Sequence, residues 1–224
     1  SASAFMKLGE NRKALELSKR AQILADDAGG LVERSALLSQ TGTAYSNLGE
    51  KQTALEYQLK ALDLLKTSPD VADSVPLAMF FVGGAYFELG KTAEAFDFYD
   101  RGLALVEKSD SKFGMESMLK LIGDAHLRLG AYARAVSYYK SALQICEQKN
   151  FFADQAYMLN HIGDAYAALG DRVNAVASYK DALERMKGNT IGEAILLGNR
   201  GLFYMRAGDG ENARKDLDEA VAKS

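Results

Sequence analysis

Apolar and small residues return at helical spacing along nearly the whole chain, in paired segments parted by a short Leu-Gly or Ala-Gly turn. The turn glycines are Gly9, Gly49, Gly90, Gly130, Gly170 and Gly208, at successive intervals of 40, 41, 40, 40 and 38 residues. Other columns keep step with them. Seven positions before the turn stands a second glycine, Gly42, Gly83, Gly123, Gly163 and Gly201, with Ala2 in that place in the first copy. Five positions after the turn stands alanine: Ala14, Ala54, Ala95, Ala135, Ala175 and Ala213. Twelve after, the residue is small again: Ala21, Ala61, Gly102, Ala142, Ala182 and Ala220. Four before, a ring recurs as Phe5, Tyr45, Tyr86, His126, Tyr166 and Tyr204.

These columns predict two amphipathic helices per copy. The small positions let the paired helices approach closely, and the ring fills the space between them. The turn glycine ends the first helix in a left-handed conformation that side chains resist. Asp171 and Asp209 stand where they can cap the following helix, and Thr53 with Glu56 has capping-box spacing. Each copy leaves an apolar face bare, so neighbours must stack. The expected fold is therefore all-α, a single solenoid over 1–224 with copies near 1–28, 35–67, 76–109, 115–149, 155–187 and 193–223. Pro69 and Pro76, the two prolines of the chain, mark an irregular joint between the second and third copies. The first copy has a stub of its first helix, and Leu217 and Val221 leave an apolar stripe on the last one. The expectation is a piece of a larger protein, or terminal helices covered by another subunit through self-association.

Composition narrows the function. The net charge of -3 and the lack of any Lys/Arg run offer nothing to a phosphate backbone, so no nucleic-acid partner is expected. Cys146 is the single cysteine and has no internal disulfide partner, which suits a reducing, cytoplasmic setting. The stretch from Pro76 to Phe87 is apolar but too short and glycine-broken to span a bilayer. GGAYFELGKT (Gly83 to Thr92) invites a phosphate-loop reading, yet the spacing from Gly84 to Gly90 is one residue too long. The repeat register explains its glycines instead. Two histidines and one cysteine give no metal-site spacing. His126 occupies the ring column, and nothing in the pattern orients Cys146 and His161 as a nucleophile and base. No catalysis and no cofactor are expected.

IGDAYAALGDRVNAVASYKDAL (Ile162 to Leu183), IGDAHLRLGAYARAVSYYKSAL (Ile122 to Leu143) and TGTAYSNLGEKQTALEYQLKAL (Thr41 to Leu62) resemble the tetratricopeptide repeat. A period near 40 is longer than the usual ~34 of that repeat. It is similar to the long-repeat subset in kinesin light chain, LGN-type adaptors and MalT- or Rap-like regulators. The resemblance implies a right-handed superhelix whose first helices line a concave groove. It maps groove positions onto Gln40 and Asn47, then Phe80 and Phe87, then Lys120, Asp124 and Arg128. In the last two repeats these are Asn160, His161 and Asp164, then Asn199 and Arg206.

Lys120, Asp124 and Arg128 share one helix face, either as ion pairs along the helix or as ligand contacts. Asn160 and Asn199 resemble the asparagines with which such grooves hold a peptide backbone. Phe80 and Phe87, if both reach the groove, make an apolar pocket. Asp124 and Asp164 would suit a partner bearing Lys or Arg. The two-carboxylate clamp of chaperone-tail binders is not reproduced. The function implied is a non-catalytic scaffold for a peptide or helical segment of another protein. The alternative is a ligand- or peptide-sensing domain of a bacterial signalling or transcription regulator.

Overall fold

The computed structural model describes residues 11–28, 30–108 and 114–223, and every regular element among them is helical. The chain divides into two packing units at Gly114–Met115. The first contains α1 (Asn11–Ala28), α2 (Leu31–Asn47), α3 (Lys51–Leu65), α4 (Val75–Glu88) and α5 (Thr92–Lys108), each packed on its predecessor. The second contains α6 (Met115–Arg128), α7 (Tyr132–Gln148), α8 (Phe152–Ala168), α9 (Arg172–Met186), α10 (Thr190–Arg206) and α11 (Gly210–Lys223), packed in the same sequential way. Helix α8 also touches α10, so successive first helices lie side by side. None of the described helices is long and apolar enough to cross a membrane.

The turns are built as the glycine column predicts. Gly49, Gly90, Gly130, Gly170 and Gly208 have φ between 74° and 84°, the left-handed region that a side chain strains. The N–H of the following residue then reaches back to the ring-column carbonyl: Glu50 to Tyr45, Lys91 to Tyr86, Ala131 to His126, Asp171 to Tyr166 and Asp209 to Tyr204, at 2.9–3.0 Å. These bonds satisfy carbonyls that the helix end would leave open. Asp171 and Asp209 accept from the N–H of Asn174 and Asn212 and so cap α9 and α11. The capping box at Thr53 and Glu56 does not form. Helix α3 already begins at Lys51, which places Thr53 inside it. Between α3 and α4 the chain makes a 3₁₀ turn, Pro69–Ser74, capped by Ser68, and Pro76 sits in the first turn of α4. That is the irregular joint expected from the prolines.

Inside the helix pairs, two kinds of contact set the spacing. The ring column stacks on a residue eight positions after the turn: Tyr45 on Tyr57 at 5.3 Å, Tyr86 on Phe98 at 5.5 Å and His126 on Tyr138 at 5.3 Å. The next residue lies flat on the glycine column. A Cβ at Gly83, Gly123 or Gly163 would lie 2.6, 2.6 and 2.8 Å from a ring carbon of Tyr99, Tyr139 and Tyr179. Gln58 and Leu217 fill the same place over Gly42 and Gly201. Buried Leu55, Leu62, Leu65, Met79 and Val82 complete the core where α3 meets α4.

Gly163→Ala in α8 is expected to lower stability by about 1–3 kcal/mol, because Tyr179 must move aside. Gly198→Ala in α10, with no atom within 4 Å of the added Cβ, should be neutral or stabilise by up to ~1 kcal/mol. Urea unfolding midpoints compare the two, and equal midpoints would remove the glycine column from the packing scheme.

Candidate functional site

A first helix has one face committed to its partner helix, and the glycine column defines that face. The position three residues before the glycine lies one turn away on the same side. Phe80 stands there. It is 0% exposed, stacks on Tyr99 at 5.2 Å, and would meet a Cβ at Gly102 at 2.5 Å. Phe80 is therefore core rather than groove, a correction to the mapping made by resemblance. Asn160 holds the equivalent place in α8 and is 4% exposed, so it is not a surface hydrogen-bonding group.

In the first unit the residue beside Phe80 is the accessible one. Phe81 is 37% exposed and, with Val32, Gln40, Thr43 and Leu77, lines a slot of about 260 Å³ between α2 and α4. Gln40 thus lines this slot. Asn47 is exposed at the end of α2 and Phe87 is half-buried on α4, both outside this slot.

In the second unit the polar residues bind one another first. Lys120 Nζ meets Asp124 Oδ2 at 2.6 Å, and Tyr139 Oη donates to Asp124 Oδ1 at 2.7 Å. Tyr179 Oη donates to Asp164 Oδ1 at 2.6 Å, and Asn160 Nδ2 to Asp164 Oδ2 at 3.2 Å. Asn199 Nδ2 donates to Asn160 Oδ1 at 3.2 Å, and His161 stacks on Tyr139 at 5.3 Å. Both carboxylates have an internal partner on each oxygen.

Burial governs the titration of this layer. It raises the Asp164 carboxyl against the opposing pull of the Tyr179 hydrogen bond, and it raises the hydroxyls of Tyr139 and Tyr179, helped by the adjacent aspartates. It lowers His161, with Lys120 adding to the effect, and it lowers His126 with a contribution from Arg134. The buried Cys146 thiol is pushed up to about 11 and is protonated near neutral pH. Among the described residues, no group of three or more His, Cys, Asp or Glu is placed to hold a metal.

Beside this layer opens a cleft of about 810 Å³ at the C-terminal ends of α6, α8 and α10. Leu127, Leu202 and Phe203 give it apolar walls, while Asp164, Asn199 and Arg206 supply its polar groups. Arg172 stands at its edge, tied to Asp209 at 2.7 Å. The cleft thus brings Asp164, Asn199 and Arg206 together. Lys120, Asp124 and His161 do not line it, and neither does the exposed Arg128. Phe203 is an addition that the groove mapping left out.

Family models described as tetratricopeptide repeat match residues 37–64, 75–148 and 156–185. The chain belongs to the tetratricopeptide-repeat family. This tetratricopeptide chain is 32% identical over 93 residues to the photosystem I assembly protein Ycf3 of Synechococcus elongatus, a match covering 42% of the chain and 52% of that protein. It therefore spans about half the length of the curated relatives it matches. Among solved structures it is similar to a Rap protein complexed with competence and sporulation factor, with TM-score 0.78 at 16% identity, covering 99% of this chain and 62% of that one. It is also similar to the Rap conjugation gene regulator of plasmid pLS20 in complex with the Phr* peptide, with TM-score 0.72 at 12% identity, covering 100% and 71%. At such identities the likeness establishes the tetratricopeptide fold.

Tyr179→Phe removes a donor from a half-buried carboxylate and should cost about 1–3 kcal/mol. An unchanged urea midpoint would show that Asp164 does not depend on it. The histidines set a pH dependence. A folded-state value below the ordinary 6.5 means that the unfolded chain binds more protons as pH drops past 6.5. Stability should then fall on acidification below 6.5, and His161→Phe, which keeps a ring on Tyr139, should flatten that slope. A wild-type stability that rises through this window would reverse the assignment.

Proposed function

We propose that the chain is a non-catalytic scaffold that binds a peptide or helical segment of a partner protein along its first helices, in a cytoplasmic setting. The observation that carries this reading is the cleft at the ends of α6, α8 and α10. About 810 Å³ falls in the range of sites that enclose a ligand or several side chains. Its walls are apolar, Leu202 being 42% accessible and Phe203 9%, while a few polar groups converge at one side. Apolar surface of this kind gains from being covered, and the polar groups orient what covers it. The relatives support the same reading. One is named for the assembly of a protein complex, and a structural neighbour was solved with a peptide bound.

That neighbour also favours a second reading, in which the same cleft receives a signalling peptide within a larger regulator. The two differ in how the chain responds to its ligand. A sensing domain compacts on peptide binding, as small-angle scattering would record, whereas a scaffold keeps its dimensions.

Leu202→Asp places a charge in the apolar wall and is expected to weaken partner binding by at least about tenfold with little change in melting temperature. Val173→Asp on α9, also exposed to solvent but outside the cleft, should leave affinity unchanged. Titration of the partner recovered by affinity capture makes the comparison, and full affinity in the Leu202 variant would exclude this cleft as the binding site.

A further inference from the structure

The reading of Asp124 and Asp164 as bait for a basic partner depends on their having free acceptor capacity facing outward. Much of that capacity is taken up from within. Each carboxylate oxygen already accepts from Lys120, Tyr139, Asn160 or Tyr179 at 2.6–3.2 Å. The opposite charge is the one left open. Arg206 is exposed, lines the cleft, and makes no ion pair or hydrogen bond among the described residues. Its charge reaches Asp164 and Tyr179 through space alone. Its place in the last turn of α10 suits a cation by the helix dipole, yet that leaves all five guanidinium donors available. Arg172, the other cation at the cleft, is already matched by Asp209.

Asn199 adds the complementary group. Its amide nitrogen is spent on Asn160, while its carbonyl oxygen has no partner among the described residues. The cleft therefore presents one open acceptor, one open cation and an apolar wall of Leu202, Phe203 and Leu127. Resting on the cleft-binding reading above, the geometry points to a partner segment in which an apolar residue is followed closely by an internal Asp or Glu. The apolar side chain lies on Leu202 and Phe203, a backbone N–H donates to Asn199 Oδ1, and the side-chain carboxylate takes the Arg206 guanidinium. A fork of parallel N–H donors fits a carboxylate in two-pronged fashion, which a single ammonium partner on the ligand could not use.

Selection of a random library of C-terminally amidated peptides on the full chain tests this, with affinities of the enriched peptides read by fluorescence anisotropy. Enriched sequences are expected to pair Leu, Met or Phe with a nearby Asp or Glu. Replacing that acid by Lys should weaken binding roughly tenfold. Arg206→Gln should erase the difference between the two peptides, and Arg206→Glu should reverse it. Leu202→Asp should abolish binding of both. Peptides that need Leu202 but show no acidic preference would overturn this inference and leave the cleft as a binding site. A library that binds only with a free terminal carboxylate would overturn the commitment to a side-chain acid. Binding indifferent to Leu202→Asp, or no enrichment at all, would overturn this inference together with the cleft reading.

Discussion

A flat ring pressed on a glycine sets the architecture. Tyr99, Tyr139 and Tyr179 each lie against Gly83, Gly123 and Gly163 so closely that a methyl group would enter the ring. The contact draws two helices to a separation that side chains on both would forbid, and it repeats with the turn that joins them. Because the turn glycine comes seven residues after the packing glycine, and the tyrosine nine residues after the turn, one register serves both. A backbone bond from the residue after each turn to the ring-column carbonyl closes the same geometry. Neighbouring positions inherit their roles from it.

The first inherited role is chemical. A tyrosine buried to its tip must find an acceptor for its hydroxyl. In the fourth and fifth repeats the residue after the packing glycine supplies one, Asp124 for Tyr139 and Asp164 for Tyr179. The aspartates look like groove residues because they sit on the outward edge of the first helix, yet their oxygens are engaged from within. The second role is volumetric. Phe80, one turn before Gly83, needs room that alanine would not leave, and the column twelve residues after the turn holds Gly102 in that repeat alone among those described. Large and small residues compensate across the pair, as a close-packed interior requires.

These roles explain what the sequence made legible. The helix pairs, the turns, the joint at the prolines and the core place of His126 derive from columns that repeat nearly without exception, and such columns have one physical cause each. The tyrosine column holds in three copies and is broken by Ser18, Gln58 and Leu217, so its role needed the contact itself to be seen. Helical periodicity could not decide between Phe80 and Phe81, since adjacent residues differ by about 100° of rotation and both border the groove. Nor could it reveal that Asn160 is turned inward to bridge Asp164 and Asn199. Groove residues are what remains after packing has taken its share, and sequence alone does not report the remainder.

That remainder is largest in the sixth repeat, and the reason is again the ring. There Leu217 replaces the tyrosine over Gly201, so no hydroxyl asks for an acceptor. The residue after the packing glycine is released from that duty and is Leu202 instead of aspartate. With the polar layer ended, Asn199 turns its amide back to Asn160 and closes the hydrogen-bond chain of the fifth repeat. Leu202, Phe203 and Arg206 then stand at the edge of a cleft that holds polar contacts on one side and apolar surface on the other. A change from Tyr to Leu made for packing thus yields the exposed apolar wall, and Asp164, fixed by Tyr179 of the repeat before, borders it. The proposed site lies where the internal pattern of the repeats changes, at the repeat in which leucine stands over the packing glycine.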